Sequence, residues 1–281
     1  TKISNIYASF MAADAVNAKG CSPIAGELSE VDSISSLQDF TSTLSKLEAR
    51  GLSGIFGTFI YADMKDASTN IMYLQQGAIS LPDEAYYREE KYADIRTAFV
   101  AHVAKMFELA GVANGSDLAA KVMALETSIA SHHWDQVKDR DATLTYNKMD
   151  RAQVKALMSA FDWDLYLTAG EIPAVVLDSV IVQQPSFFEG LNSILANFDA
   201  DAWKAWMMWH IISGAAPYLS DELVNENFAF YGKTLSGTPE LRERWKRAVS
   251  MIEGSLGEAV GKVYVEKYFP AEAKARMEQL V

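Results

Sequence analysis

One cysteine, Cys21, is present in 281 residues, so no disulfide can form within the chain. That excludes the small disulfide-stapled scaffolds of secreted proteins and fits a reducing compartment. Basic charge is scarce as well: 25 Lys and Arg against 37 Asp and Glu leave a net charge of −12. A phosphate-backbone partner needs a basic patch, so this balance argues against nucleic acid. Long hydrophobic runs are missing. The most apolar stretch, Trp206 to Ala216, is interrupted by His210, Ser213 and Gly214 and is too short to span a bilayer. The N-terminal TKISNIYASFM lacks the basic, apolar and small-residue zones of a secretion signal. A cytoplasmic location is expected, with an extracellular one left open because the sequence starts without Met. There is no Walker loop, GxGxxG, GxSxG, CxxC, HExxH or internal repeat.

What is present is helical periodicity. Hydrophobic content of 49% and charged content of 22% are those of a globular chain with ample material for a core. Apolar residues recur at three- and four-residue steps over Ile3 to Phe10, Leu37 to Leu47, Tyr92 to Met106, Val122 to Ile129 and Val154 to Phe161. Ser36 with Asp39, Asp150, Ser186 with Glu189, and Asp199 or Asp201 supply start signals. Trp203, Trp206 and Trp209, crowded with Met207, Met208 and Ile211, predict a helix buried on more than one side. Residues 54–76 differ: two β-rich runs flank the polar Lys65-Asp66-Ala67-Ser68, which reads as a hairpin. Val175–Leu177 and Val180–Val182 read as short extended pieces. The expectation is a mainly α, irregular multi-helix domain over 1–281, with a small β-hairpin near residues 55–75.

The candidate chemistry is thin. His133 and Glu126 could each offer a ligand, but they lack the i, i+4 spacing of a helical zinc pair, and adjacent His132 and His133 point about 100° apart. His102 and His210 read as satisfied core or boundary residues. Asp139, Arg140 and Asp141, followed by Tyr146 and Asn147, have the right types for a polar network. Arg140 would keep both acids ionised, which suits a buried clamp better than acid–base work. These five residues are the candidate site, either facing a cavity or purely structural. Tyr86 and Tyr87 read as rings pinning a loop onto the core, with peptide contact as the alternative. From Leu241 to about Tyr268 a long helix is expected against the core. Gly257 and Gly261, four apart, mark where a neighbouring backbone or ring would approach.

Four segments, in this order, carry a resemblance: QQGAISLPDEAYY (Gln75–Tyr87), RDATLTYNKM (Arg140–Met149), MMWHIISGAAPYL (Met207–Leu219), and FAFYGKTLSG, RW and GEAVGKVYVEKYF between Phe228 and Phe269. They resemble the helical N-terminal region of the neprilysin, endothelin-converting enzyme and PepO family of zinc metallopeptidases. The resemblance implies a domain that faces a zinc-bearing domain across an enclosed chamber and limits substrates to oligopeptides. It implies that zinc, HExxH and a downstream glutamate lie in that missing half, where zinc activates water and the HExxH glutamate is the general base. No catalytic residue, metal ligand or cofactor is expected in this chain. Its expected partners are its own C-terminal catalytic domain and oligopeptide substrates. A stand-alone helical interaction module is the alternative.

Overall fold

The computed structural model describes residues 2–280. The helix Ala200–Ala215 is the axis of the interior. Asp199 starts it by accepting hydrogen bonds from the amides of Asp201 (3.0 Å) and Ala202 (3.2 Å). Trp203, Trp206, Met207, Trp209 and Ile212 point around the whole circumference, and all are buried. Such a helix must be covered on every side. Helices Ala25–Asp32, Leu37–Glu48, Ala93–Leu109 and Gly115–Ala130 do this. Ring contacts fix the seams: Trp203 lies 4.9 Å from Phe40, and Trp209 lies 5.8 Å from Phe99, edge to face. A contiguous buried cluster runs from Val31 to Phe230.

Several helix starts follow their local chemistry. Ser36 and Asp39 form a reciprocal capping box, as do Asp150 and Gln153. Others do not. The period over Ile3 to Phe10 forms the helix Lys2–Met11, and a second helix that no capping signal marks, Ala13–Lys19, follows it. Ser186 makes no box with Glu189; its hydroxyl accepts from Trp134 Nε1 at 2.7 Å, and Pro185 opens that helix. Residues Phe228–Leu235, which carry the aromatic Phe228, Phe230 and Tyr231, form a π-helix. Its wide turn is supported by Thr234 Oγ1 donating to Ala229 O (3.0 Å) and Ser236 Oγ donating to Tyr231 O (2.7 Å).

The hairpin is present and longer than its β-rich runs. Strand β1 is Gly57–Asp63 and β2 is Asp66–Gln75, antiparallel, with Phe59 opposite Tyr73 and a register shift at Ala62/Asp63. Two further strands make it a four-stranded sheet, β3 (Lys148–Met149) and β4 (Val180–Val182), in the order β1-β2-β4-β3. Strand β4 is wholly buried and parallel to β2, with Ile181 opposite Tyr73. A parallel pair needs a long crossover, and residues 76–179 supply it with helices. The other expected extended piece, Val175–Leu177, is instead part of a 3-10 turn. At the outer edge, Ile60 and Tyr61 of β1 are 66% and 68% exposed.

The C-terminal helix corrects the sequence reading most. It begins at Arg244 rather than Leu241 and has a non-helical break at Leu256 (φ −135°, ψ 29°). Of its residues only Ala248 and Ile252 are buried, while Trp245, Val249 and Val263 are exposed. A Cβ built at Gly254, Gly257 or Gly261 meets nothing within 4 Å, so among the described residues no neighbour approaches the glycine face. The last helix, Ala271–Leu280, has no buried residue.

Candidate functional site

Two polar centres stand out, one at the rim of the sheet and one in the interior. At the rim, the turn from β1 to β2 presses the Asp63 side chain to 1% exposure. Its carboxylate accepts from Lys148 Nζ (2.8 Å), Tyr146 Oη (2.8 Å) and the Lys65 amide (2.9 Å). The Lys148 hydrogen bond, then the Lys65 amide, hold its pKa down to about 2. The Lys65 ammonium sits 4.2 Å from the centre of the Tyr146 ring. A carboxylate held this firmly ionised is an anchor rather than a proton shuttle.

Of the five candidate residues, only Tyr146 joins that centre. Asn147 Nδ2 donates to Leu144 O (2.7 Å) and Val182 O (3.0 Å), fastening the approach to β3 onto β4. Asp141 accepts from the amides of Thr143 (2.8 Å) and Leu144 (3.3 Å). Asp139 accepts from Gln184 Nε2. Arg140 is exposed, and both acids expected beside it have these other partners, so the buried clamp is replaced by separate local contacts. Lys148 and Asp63 belong to the centre although sequence reasoning passed over both. Their contact spans 85 residues, and no local pattern marks it.

The interior centre is Glu126, on the helix Gly115–Ala130 and fully buried. It accepts from Ser80 Oγ (2.6 Å), the Ser80 amide (2.9 Å) and Tyr87 Oη (2.6 Å), and His210 Nε2 lies at 3.2 Å. Desolvation, then the Glu126 charge, pushes the Tyr87 phenol well above its ordinary value. Trp209 Nε1 donates to Ser80 Oγ (2.8 Å), Trp206 Nε1 to Ala78 O (3.1 Å) and His133 Nε2 to Gly77 O (2.8 Å). These bonds hold residues 77–80 in a path that includes Ala78 at φ 67°, a left-handed conformation costly for a residue with a Cβ. The tyrosine loop is therefore pinned to the core: Tyr87 is buried, and Tyr86 stacks on Tyr92 at 4.0 Å. One signal could have found the hub. Glu126 falls in the apolar register of Val122, Leu125 and Ile129, where a carboxylate needs several donors.

The histidines are spent on structure. His133 faces Gly77, and His210 faces Glu126. His132 lies over Gly190, where a Cβ would fall 2.1 Å from its ring and only glycine fits. His102 Nδ1 lies 2.8 Å from Glu226 Oε1, and its ring stacks on Phe230 at 4.9 Å. Burial lowers the His102 pKa, partly offset by Glu226. This pair has the types of a base and its orienting acid, but among the described residues Nε2 is buried without a hydrogen-bond partner and no nucleophile meets it. Among the described residues no three of His, Cys, Asp and Glu converge to hold a metal, and no helix is long and apolar enough to cross a membrane.

Comparisons with known proteins bear on this arrangement. The sequence matches peptidase family M13 over residues 1–281. It is 38% identical to the zinc metalloprotease Zmp1 of Mycobacterium tuberculosis, solved with an inhibitor, with a TM-score of 0.92 over 98% of this chain and 42% of that one. It is 25% identical over 272 residues to a neutral endopeptidase of Lactobacillus helveticus, covering 95% of this chain and 41% of the relative. Rat endothelin-converting enzyme 1 is 23% identical over 243 residues, covering 84% of this chain and 32% of the relative. The chain thus spans 32–41% of the length of these curated relatives.

Proposed function

The chain belongs to peptidase family M13, and on that premise we propose that it forms the helical, chamber-enclosing part of a zinc metalloendopeptidase that hydrolyses oligopeptides. The observation that carries the reading is the agreement with a zinc metalloprotease, a TM-score of 0.92 at 38% identity, over 98% of this chain but 42% of that protein. The residues of this chain do not fit a zinc site: its histidines serve Gly77, Glu126, Glu226 and the Gly190 crossing. Zinc, when bound, would polarise a peptide carbonyl and activate water. The side chains of this chain take no step of that chemistry. What they supply is a rigid wall, with the 77–80 strap fastened to the tryptophan helix and the hairpin turn fastened by Asp63.

The partner in this reading is the protein's own catalytic half. The exposed Val263, Tyr264, Val265, Tyr268, Met277 and Leu280 support it, because so many large apolar side chains left open on two consecutive helices are material for burial. A bacterial cytoplasmic setting agrees with the single thiol.

The test compares a polypeptide of residues 1–281 with the product of the full reading frame. Zinc is counted by mass spectrometry, and hydrolysis of a quenched fluorescent peptide is followed. The proposal expects background hydrolysis and no stoichiometric zinc for 1–281, and one zinc with hydrolysis for the full product. One zinc per chain and peptide cleavage by 1–281 would overturn it. A reading frame that closes at Val281 would favour the interaction module.

A further inference from the structure

The helix Leu37–Glu48 ends on a contact that neither polar centre uses. Ser45 and Glu48, one turn apart, grip the same residue from two sides: Ser45 Oγ donates to Tyr166 O at 2.6 Å, and Tyr166 Oη donates to Glu48 Oε2. The other carboxyl oxygen covers Gly54. A Cβ there would fall 1.5 Å from Glu48 Oε1, so any side chain at this position would push the carboxyl aside. Gly54 lies in the crossover 49–56, which leads into β1. Two residues on, Phe56 is buried against Trp163 (5.4 Å) and Phe188 (5.7 Å). Glu48 therefore stands where the root of the hairpin meets the core.

No cation faces this carboxyl among the described residues. Arg50, on the crossover, turns to Glu30 (2.5 Å) and Glu27 (3.5 Å) of the helix Ala25–Asp32, and Lys46, on Glu48's own helix, is exposed. Among the described residues Tyr166 is the only titratable group that meets it, and its phenol is itself pushed up by burial and by Glu48. An ionised Glu48 has one donor and a desolvation cost. A protonated one loses that cost.

We propose that Glu48, Tyr166 and Gly54 form a proton-operated clasp: protonated Glu48 fastens the 49–56 crossover to the core, and ionisation of Glu48 loosens the crossover and the hairpin root. Desolvation, opposed by the Tyr166 hydrogen bond, raises Glu48 from 4.5 to about 7, which puts the change near neutrality. The folded value is the higher one. The clasp's contribution is therefore complete below about 4.5 and is lost as pH rises through 7.

The test is amide exchange, read by mass spectrometry on residues 1–281 and corrected for the intrinsic pH dependence of exchange. Between pH 5.5 and 8.5, segments covering 49–57 should lose about 30-fold in protection, the factor set by a shift from 4.5 to about 7. Segments within Ala200–Ala215 should not change. Glu48→Gln should keep its protection across the range, and Tyr166→Phe should move the transition to higher pH. The same pH-dependent loss in Glu48→Gln, or none in the parent, would overturn the clasp. Should Glu48→Gln fail to fold, carbon NMR of the Glu48 carboxyl in the unsubstituted chain decides. A midpoint near 7 supports the clasp, and one in the ordinary glutamate range overturns it.

Discussion

Two helices of this chain carry similar promise in sequence and end in opposite environments. Ala200–Ala215 brings apolar residues to all sides and is enclosed by four helices. Arg244–Tyr268 brings them to a stripe, yet buries only Ala248 and Ile252 and lies open beyond its break at Leu256. The difference lies in what surrounds each stripe. Trp206 is buried at 0% exposure and bonded to Ala78 O, and Trp209 to Ser80 Oγ, so the first helix is tied to its cover by direction as well as by area. The second holds its cover through one end, where Arg244 donates to Phe10 O (2.8 Å) and Asp221 Oδ1 (2.9 Å). An apolar period says that a face exists; it does not say whether the same chain covers it.

Substitutions should separate the two regions by size of effect. Trp206→Ala is expected to cost about 3–5 kcal/mol, because the helices around it cannot collapse into the cavity of a lost indole. A denaturant midpoint within error of the parent would break the comparison at its stronger end. Glu126→Ala comes next. It leaves Ser80 or Tyr87 donors buried without an acceptor, at about 1–3 kcal/mol each, and should also free the 77–80 strap to exchange. Unchanged stability would mean that the hub is hydrated and the strap is held by its other bonds.

The smaller effects sharpen the other end. Gly261→Ala meets no neighbour and should stabilise residues 1–281 by about 0.4–1 kcal/mol through the unfolded chain and the helix. A loss of stability would show that this face is covered after all. Arg140→Ala should stay within about 0.5 kcal/mol, as an exposed side chain away from any network. A larger loss would restore the clamp.

How far sequence alone carried the description depends on the range of each interaction. Caps at Ser36, Asp150 and Asp199, the hairpin and the tryptophan helix are local patterns, and all are present. Missing from any local pattern were β3, the parallel docking of β4 on β2, and the Asp63–Lys148 pair, each joining residues far apart in sequence. The π-helix escaped because its hydroxyl-to-carbonyl bonds, from Thr234 and Ser236, look like an ordinary turn when written as a sequence. Among the candidate site residues, Tyr146 reached a polar centre, while Arg140 remained in solvent. Types suited to a network do not specify which partners they meet.

The most direct test of the account is amide exchange over residues 257–280, measured in a polypeptide of residues 1–281 and again in the product of the full reading frame. The account holds that this surface is open here and buried by the catalytic half. It therefore expects near-unprotected amides in the first and protection at least about 100-fold greater in the second, the range between fraying and core segments. Exchange over 257–280 as slow in residues 1–281 as within Ala200–Ala215, or equally fast in both proteins, would contradict it.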